Sequence, residues 1–221
     1  MKERPILDAN HPQDNCHHKR LQSAIAEHPL IFSTEMVRAI LEGRKTMTRR
    51  VIKPQPEQVR QDILAKGGLS DNHGKVIKIK YQPGDRLWVR ETYTLTGENK
   101  NIPFYKTYAL NELIGTKYTD LKWKPSIFMP RKYARIWLEV VNVRVERVQE
   151  MNHQDTIDEG VSATELGAVM HEERIRHTQE NVIKYSRIIF AKLWDSMNAR
   201  RGFGWHKNPW VWVIEFKKIQ R

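Results

Sequence analysis

One run of residues constrains the fold more than any other. From Ala134 to Val148 the chain is rich in β-branched and apolar residues and has no proline or glycine to interrupt a strand. Ile136, Leu138 and Val140 share one face of that strand by period-two alternation. Trp137, Val141, Val143 and Val145 lie on or near the other. A strand that is apolar on both sides needs cover on both, as a strand bent across the core of a barrel has. A second strand closes the chain, with Trp210, Trp212, Ile214 and Phe216 alternating with the rest.

Shorter signals fill in the frame. Lys75 to Lys80 alternates as a strand, Pro83-Gly84-Asp85 is a turn, and Arg86 to Glu91 reads as the next strand. A short helix follows Thr34, a capping residue, with Met36, Val37, Ile40 and Leu41 at helical spacing and Gly43 at its exit. Gln154 to Glu159 reads as a helix stopped by Gly160. Residues 164–198 read as a longer helical region with a break, its clearer half striped by Ile188, Ile189, Leu193, Trp194 and Met197. Residues 95–122 carry few regular signals and read as a long connection. The expected class is α+β: a small, mixed or antiparallel β-barrel of about five to seven strands with helices packed at its ends. The domain is expected to span 31–221. Residues 1–30 form an N-terminal segment, in which the polar stretch 8–29 reads as a flexible insertion.

Charge narrows the partners. Thirty-eight Lys and Arg against 26 Asp and Glu give a net charge of +12. A surface that basic attracts polyanions, nucleic acid first among them. The single cysteine, Cys16, excludes an internal disulfide and fits a reducing compartment. With no membrane-length apolar run and no signal-peptide segment, a cytoplasmic location is expected. Cys16-His17-His18 has the wrong spacing for a zinc site closed by that segment. No H-E-x-x-H, paired C-x-x-C, P-loop or G-x-S-x-G is present, so neither a metal nor a cofactor is expected.

The densest chemistry lies in Gly43-Arg44-Lys45-Thr46-Met47-Thr48-Arg49-Arg50. In a regular strand Lys45 and Thr48 would point to opposite faces, whereas a tight turn after Gly43 can bring the ammonium beside the hydroxyl, a pair able to activate a nucleophile or hold a carbonyl. Arg49 and Arg50 read as a fork for phosphate. Arg44, Lys53, Arg131, Lys132 and Arg135 extend the basic patch if the fold gathers them. Two carboxylates are candidates to orient Lys45 or act as general base: Glu91, which otherwise pairs with Arg90 or Arg86, and Glu159. Glu159 sits near a helix C-terminus, unfavourable for its charge without a specific partner. Trp88, Trp123, Tyr93 and Phe128 are candidates to stack on a base, Trp88 and Trp123 foremost among the tryptophans. Trp137, Trp194, Trp210 and Trp212 read as core.

The octapeptide fits G-x-K-x-x-T-x-R and resembles the signature of the ASCH superfamily, a branch of the PUA-like domains. So does the order of helix, octapeptide, Pro83-Gly84-Asp85-Arg86-Leu87-Trp88-Val89 and closing strand. Outside residues 8–29 the chain is similar to ASCH proteins found in prophages of enteric bacteria. One ASCH branch is an amidohydrolase that removes the acetyl group from N(4)-acetylcytidine. The resemblance implies Thr48 as nucleophile, Lys45 assisting its activation and Glu159 handling protons. Gly43, Arg44, Arg49, Arg50, Trp88, Glu91 and Arg131 are the expected ligand-binding residues. Another branch is a ribonuclease, so the resemblance leaves three readings open: deacylation of a modified cytosine, binding of RNA or DNA without catalysis, and metal-independent RNA cleavage. In each the partner is a modified nucleoside or a nucleic acid, RNA ahead of DNA.

Overall fold

The computed structural model describes residues 25–56, 58–59, 69–71, 73–78, 80–109 and 121–220. The chain enters as strand β1 (Glu27–Ile31), then helix α1 (Thr34–Leu41) and strand β2 (Met47–Val51). Two-residue strands β3 (Gln58–Val59) and β4 (Leu69–Ser70) pair with each other. Strand β5 (Arg86–Arg90) precedes a hairpin of β6 (Tyr93–Thr96) and β7 (Ile102–Tyr105), which runs into helix α2 (Lys106–Ala109). The long strand β8 (Trp137–Arg147) is followed by helices α3 (His153–Asp158), α4 (Ala163–Glu172) and α5 (Gln179–Asn198). Strand β9 (Trp210–Ile219) closes the chain.

Five strands form one mixed sheet in the order β1-β5-β8-β9-β2. Only the β1–β5 pair is parallel. A bulge between Val140 and Asn142 bends β8 where its apolar faces exchange. Both faces of the sheet are covered, as the composition of β8 demands. Trp212, Ile214 and Phe216 of β9 pack with Phe32, Val37, Ile40, Leu87 and Leu138. Val211 and Val213, on the opposite face, pack with Met47, Ile189, Phe190 and Trp194 beneath α5. A third cluster joins Tyr93, Tyr105, Met129, Ala134 and Trp137.

The α+β class is seen, with one qualification to the expected barrel. Among the described residues no ladder joins the edge strands β1 and β2. A side chain spans that gap instead: Arg50 Nη2 of β2 donates to the Ile31 carbonyl of β1 at 2.7 Å. Other local readings shift. Ser33, not Thr34, caps α1, accepting from the Met36 amide at 3.3 Å. Among the described residues, the Lys75–Lys80 alternation yields an isolated bridge from Val76 to Ser70 and no strand. Residues 95–122, expected to be a connection, hold most of the β6–β7 hairpin and α2. Strand β1 begins at Glu27, within the stretch read as an insertion; residues 1–24 lie outside the described ones. No helix among the described residues is long and apolar enough to cross a membrane.

Candidate functional site

The octapeptide is held in place by its backbone. Gly43, at φ +76°, ends α1 in the left-handed conformation. The amides of Arg44 and Lys45 both donate to the Ala39 carbonyl, at 2.9 and 3.0 Å. The Thr46 amide donates to the Asp158 carbonyl at 2.9 Å, and the Thr46 carbonyl accepts from the Phe216 amide at 2.8 Å. The motif is thus clamped between the ends of α1 and α3 and the edge of β9.

That clamp sets Lys45 against Glu159. Lys45 Nζ donates to Glu159 Oε2 and to the Glu159 carbonyl, each at 2.7 Å, with the lysine side chain wholly buried and the glutamate 4% exposed. One ammonium therefore neutralises the carboxylate and satisfies a carbonyl that the end of α3 leaves free. This is the specific partner that a carboxylate at a helix C-terminus calls for. Burial pulls the Lys45 pKa below the usual lysine range, with Glu159 pulling back upward. Gly160, at φ +98°, makes the approach possible. A Cβ there would lie 3.2 Å from Ala39 Cβ and 3.3 Å from Lys45 Cβ. Gly160→Ala is expected to cost about 1–2 kcal/mol from the left-handed backbone alone, with the contacts adding to it. Urea unfolding reads that loss.

Arg49 and Arg50 do not form a fork. Adjacent residues of a strand point to opposite faces. Arg49, opposite Val213, turns toward the helices, where Nη2 meets Asp155 Oδ2 at 2.8 Å and Glu146 Oε1 at 2.5 Å, and Nη1 meets Glu159 Oε1 at 3.3 Å. Burial opposes its charge, and these carboxylates more than offset that, holding its pKa above the usual arginine value. Arg144 continues the network to Asp155 Oδ1 at 3.0 Å, Glu146 Oε2 at 3.1 Å and Glu215. Arg49 is a strut among acids, its guanidinium taken up by three carboxylates.

Arg50, opposite Trp212, faces the gap between the edge strands with its guanidinium over the Phe32 ring at 5.2 Å. Lys45 Nζ lies over the same ring at 5.8 Å. Arg50 Nε is buried without a hydrogen-bond partner among the described residues, and burial lowers the Arg50 pKa. The gap is a cleft of about 540 Å³ between residues 29–31 of β1 and 49–51 of β2. Its other walls carry Lys53, Lys78, Lys80, Tyr81 and Arg201, and no carboxylate is among its described lining residues. Thr48 shares the strand face of Arg50 and is 3% exposed.

The remaining expected residues make other contacts. Arg44 bonds Glu42 and the Gly160 carbonyl at the rim of a second cleft, which Glu159 also lines. Glu91, a candidate partner for Lys45, is bound at both oxygens by Arg135, each at 2.8 Å, and accepts from Thr107. Neither Arg90 nor Arg86 is its partner. Arg131 pairs with Glu27 and lies over Trp137. Trp88 packs half-buried against the Tyr93–Met129 cluster under Arg90, and Trp123 stacks on Phe104 at 6.0 Å. Sequence reasoning missed Lys78, Lys80, Tyr81 and Arg201 of the cleft. It also missed Glu146 and Asp155 as partners of Arg49. The i,i+2 spacing of Arg144 and Glu146, which puts both on one face of β8, was the available signal for part of that network.

No known protein family's sequence profile matches this chain, and no curated protein is similar to it in sequence. Two solved structures resemble its fold at low similarity. One is the ASCH domain from Lactobacillus crispatus JV V101, 11% identical, with a TM-score of 0.37 over 89% of this chain and 81% of its own. The other is protein EF3133 from Enterococcus faecalis V583, of the family DUF984. It is 8% identical, with a TM-score of 0.41 over 90% of this chain and 84% of its own.

Proposed function

We propose that this chain is an ASCH-type, PUA-like domain that binds a nucleobase-bearing ligand in the cleft between β1 and β2, and that it hydrolyses the acyl amide of an N(4)-acylated cytosine. The motif from Gly43 to Arg50 supports the family. The observation that carries the function is the buried Lys45–Glu159 pair, 2.7 Å apart, whose lysine shares the Phe32 ring with Arg50 of the cleft, a cleft whose described lining residues include cations and no carboxylate. A neutral Lys45 amine, favoured by burial, takes the Thr48 hydroxyl proton as Oγ adds to the amide carbonyl carbon. The adduct expels the cytosine amine, which receives that proton. Water then cleaves the Thr48 ester and releases the carboxylic acid. Glu159 holds the lysine in register and balances its charge when protonated.

The test is incubation with N(4)-acetylcytidine followed by chromatography. Cytidine and acetate are expected from the wild type. No turnover by folded protein removes the reaction. One observation favours a non-catalytic reader: the Lys45 side chain has no exposed surface, which also suits a purely structural strut. Binding separates from chemistry in Arg50→Ala. Its affinity for cytidine monophosphate is expected to fall about tenfold, the range for a charge-assisted contact, and to lose part of its salt dependence. Calorimetric titration at two salt concentrations reads both. Unchanged affinity would remove the cleft as the ligand site.

A further inference from the structure

Residues 121–133 read Leu-Lys-Trp-Lys-Pro-Ser-Ile-Phe-Met-Pro-Arg-Lys-Tyr, with four cations and no acid. Within them a single 3-10 turn, Ser126–Phe128, lifts two apolar side chains into solvent: Ile127 is 56% and Phe128 68% exposed. A loose loop could show that by accident, but this one is pinned from beneath. The carbonyl of Ile127 accepts from Arg90 Nη2, that of Phe128 from the Tyr93 hydroxyl at 3.3 Å, and that of Met129 from Arg90 Nε at 3.1 Å. Met129 itself is fully buried in the Tyr93–Trp137 cluster. Three successive carbonyls fixed by side chains below hold an aromatic ring out as a rigid face.

The surroundings of that face select its partner. Lys122, Lys124 and Lys132 flank the turn in the chain and are exposed, and an aromatic face among lysines is the composition that holds an unpaired base while its backbone phosphates run past the ammonium groups. The turn also connects to the cleft. Arg90, which anchors it, is opposite Ile31 in the β1–β5 ladder, and Ile31 lines the cleft and accepts from Arg50. We propose that the cleft and the Phe128 turn form one track for a single-stranded nucleic acid, with a base stacked on Phe128 and a neighbouring nucleotide in the cleft. The inference rests on the cleft reading above and deepens it: the ligand is a strand, not a free nucleoside.

The test compares binding of cytidine monophosphate and of fluorescent RNA and DNA dodecanucleotides by wild type, Phe128→Ala and Arg50→Ala, using anisotropy for the strands. Phe128 is exposed, so its replacement leaves folding intact. Wild type is expected to bind a dodecanucleotide more tightly than the mononucleotide. Phe128→Ala is expected to weaken the dodecanucleotide about tenfold, the range for one lost base stack, and to leave the mononucleotide unchanged. Ultraviolet cross-linking should place the strand on the peptide that contains Phe128. Equal strand affinity in wild type and Phe128→Ala overturns the track. So does a Phe128-dependent loss of binding to anionic phospholipid vesicles with strand binding unaltered. Strand binding that needs Phe128 but not Arg50 keeps the platform and removes the cleft reading. Mononucleotide binding without a gain for the strand does the reverse. Wild type that binds neither ligand overturns both.

Discussion

Lys45→Met is expected to abolish hydrolysis of N(4)-acetylcytidine and to lower the unfolding free energy by about 3 kcal/mol, the range for breaking one side of a buried ion pair. Methionine keeps the length and apolar bulk of the side chain, so the loss is electrostatic rather than a cavity. The Glu159 carboxylate stays buried and keeps Arg49, at 3.3 Å, as a partner. The freed Glu159 carbonyl loses its donor as well. Pairing Lys45→Met with Glu159→Gln separates structure from chemistry. Stability should return in part, because the uncompensated charge is gone, while turnover should stay absent. Urea unfolding and chromatography read the two effects. Turnover that survives in Lys45→Met sinks the catalytic assignment.

The same pair predicts a pH dependence. Burial lowers the Lys45 pKa and Glu159 raises it. If the neutral amine is the base, the rate rises with pH through a midpoint below the usual lysine value. Removing the Glu159 charge removes the attraction that raises that pKa, so the residual activity of Glu159→Gln should rise at lower pH than wild type. A midpoint that does not move would separate Glu159 from the ionisation of Lys45.

Arg49→Met is expected to be the more damaging substitution to stability, at about 4 kcal/mol. Its guanidinium has no exposed surface and meets Glu146, Asp155 and Glu159 together. Without it Glu146, Asp155 and Glu159 lose the one cation common to all three, and Arg144 and Lys45 are left to balance them. Arg49→Lys should recover little, because a single ammonium lacks the planar fork that reaches carboxylates on both sides. Denaturation of the two variants checks this directly. Near-wild-type stability of Arg49→Lys would mean that charge alone, and not the fork, holds the network.

What the sequence made legible was governed by short-range physics. The doubly apolar β8, the alternating β9, the exit of α1 at Gly43 and the stop at Gly160 follow from side-chain alternation and left-handed glycines. The β6–β7 hairpin stayed hidden because Tyr93 to Thr96 is too short a run to show a period. Lys75 to Lys80 shows one, but in the fold it supplies cations to a cleft wall and only one bridge. Face assignment was readable for Arg49 and Arg50, yet what covers each face was not. Glu146, Asp155 and Glu159 lie 97, 106 and 110 residues further along the chain from Arg49. The pairing of Lys45 with Glu159, 114 residues apart, was one of two that residue chemistry left open, and the family resemblance chose between them. Nothing in the pattern around Glu91 distinguished it, and Arg135 is what claims it.

Strand β2 presents Arg49 to one side of the sheet and Arg50 to the other, and this bears on heredity. A strand has no slack: one residue gained or lost between Gly43 and Val51 would exchange the two faces. The guanidinium that joins the acids would then point into the open gap, and the one that spans the gap would be thrust among acids. Genes descended from this one are therefore expected to vary in length elsewhere and to keep the count between Gly43 and Val51 unchanged.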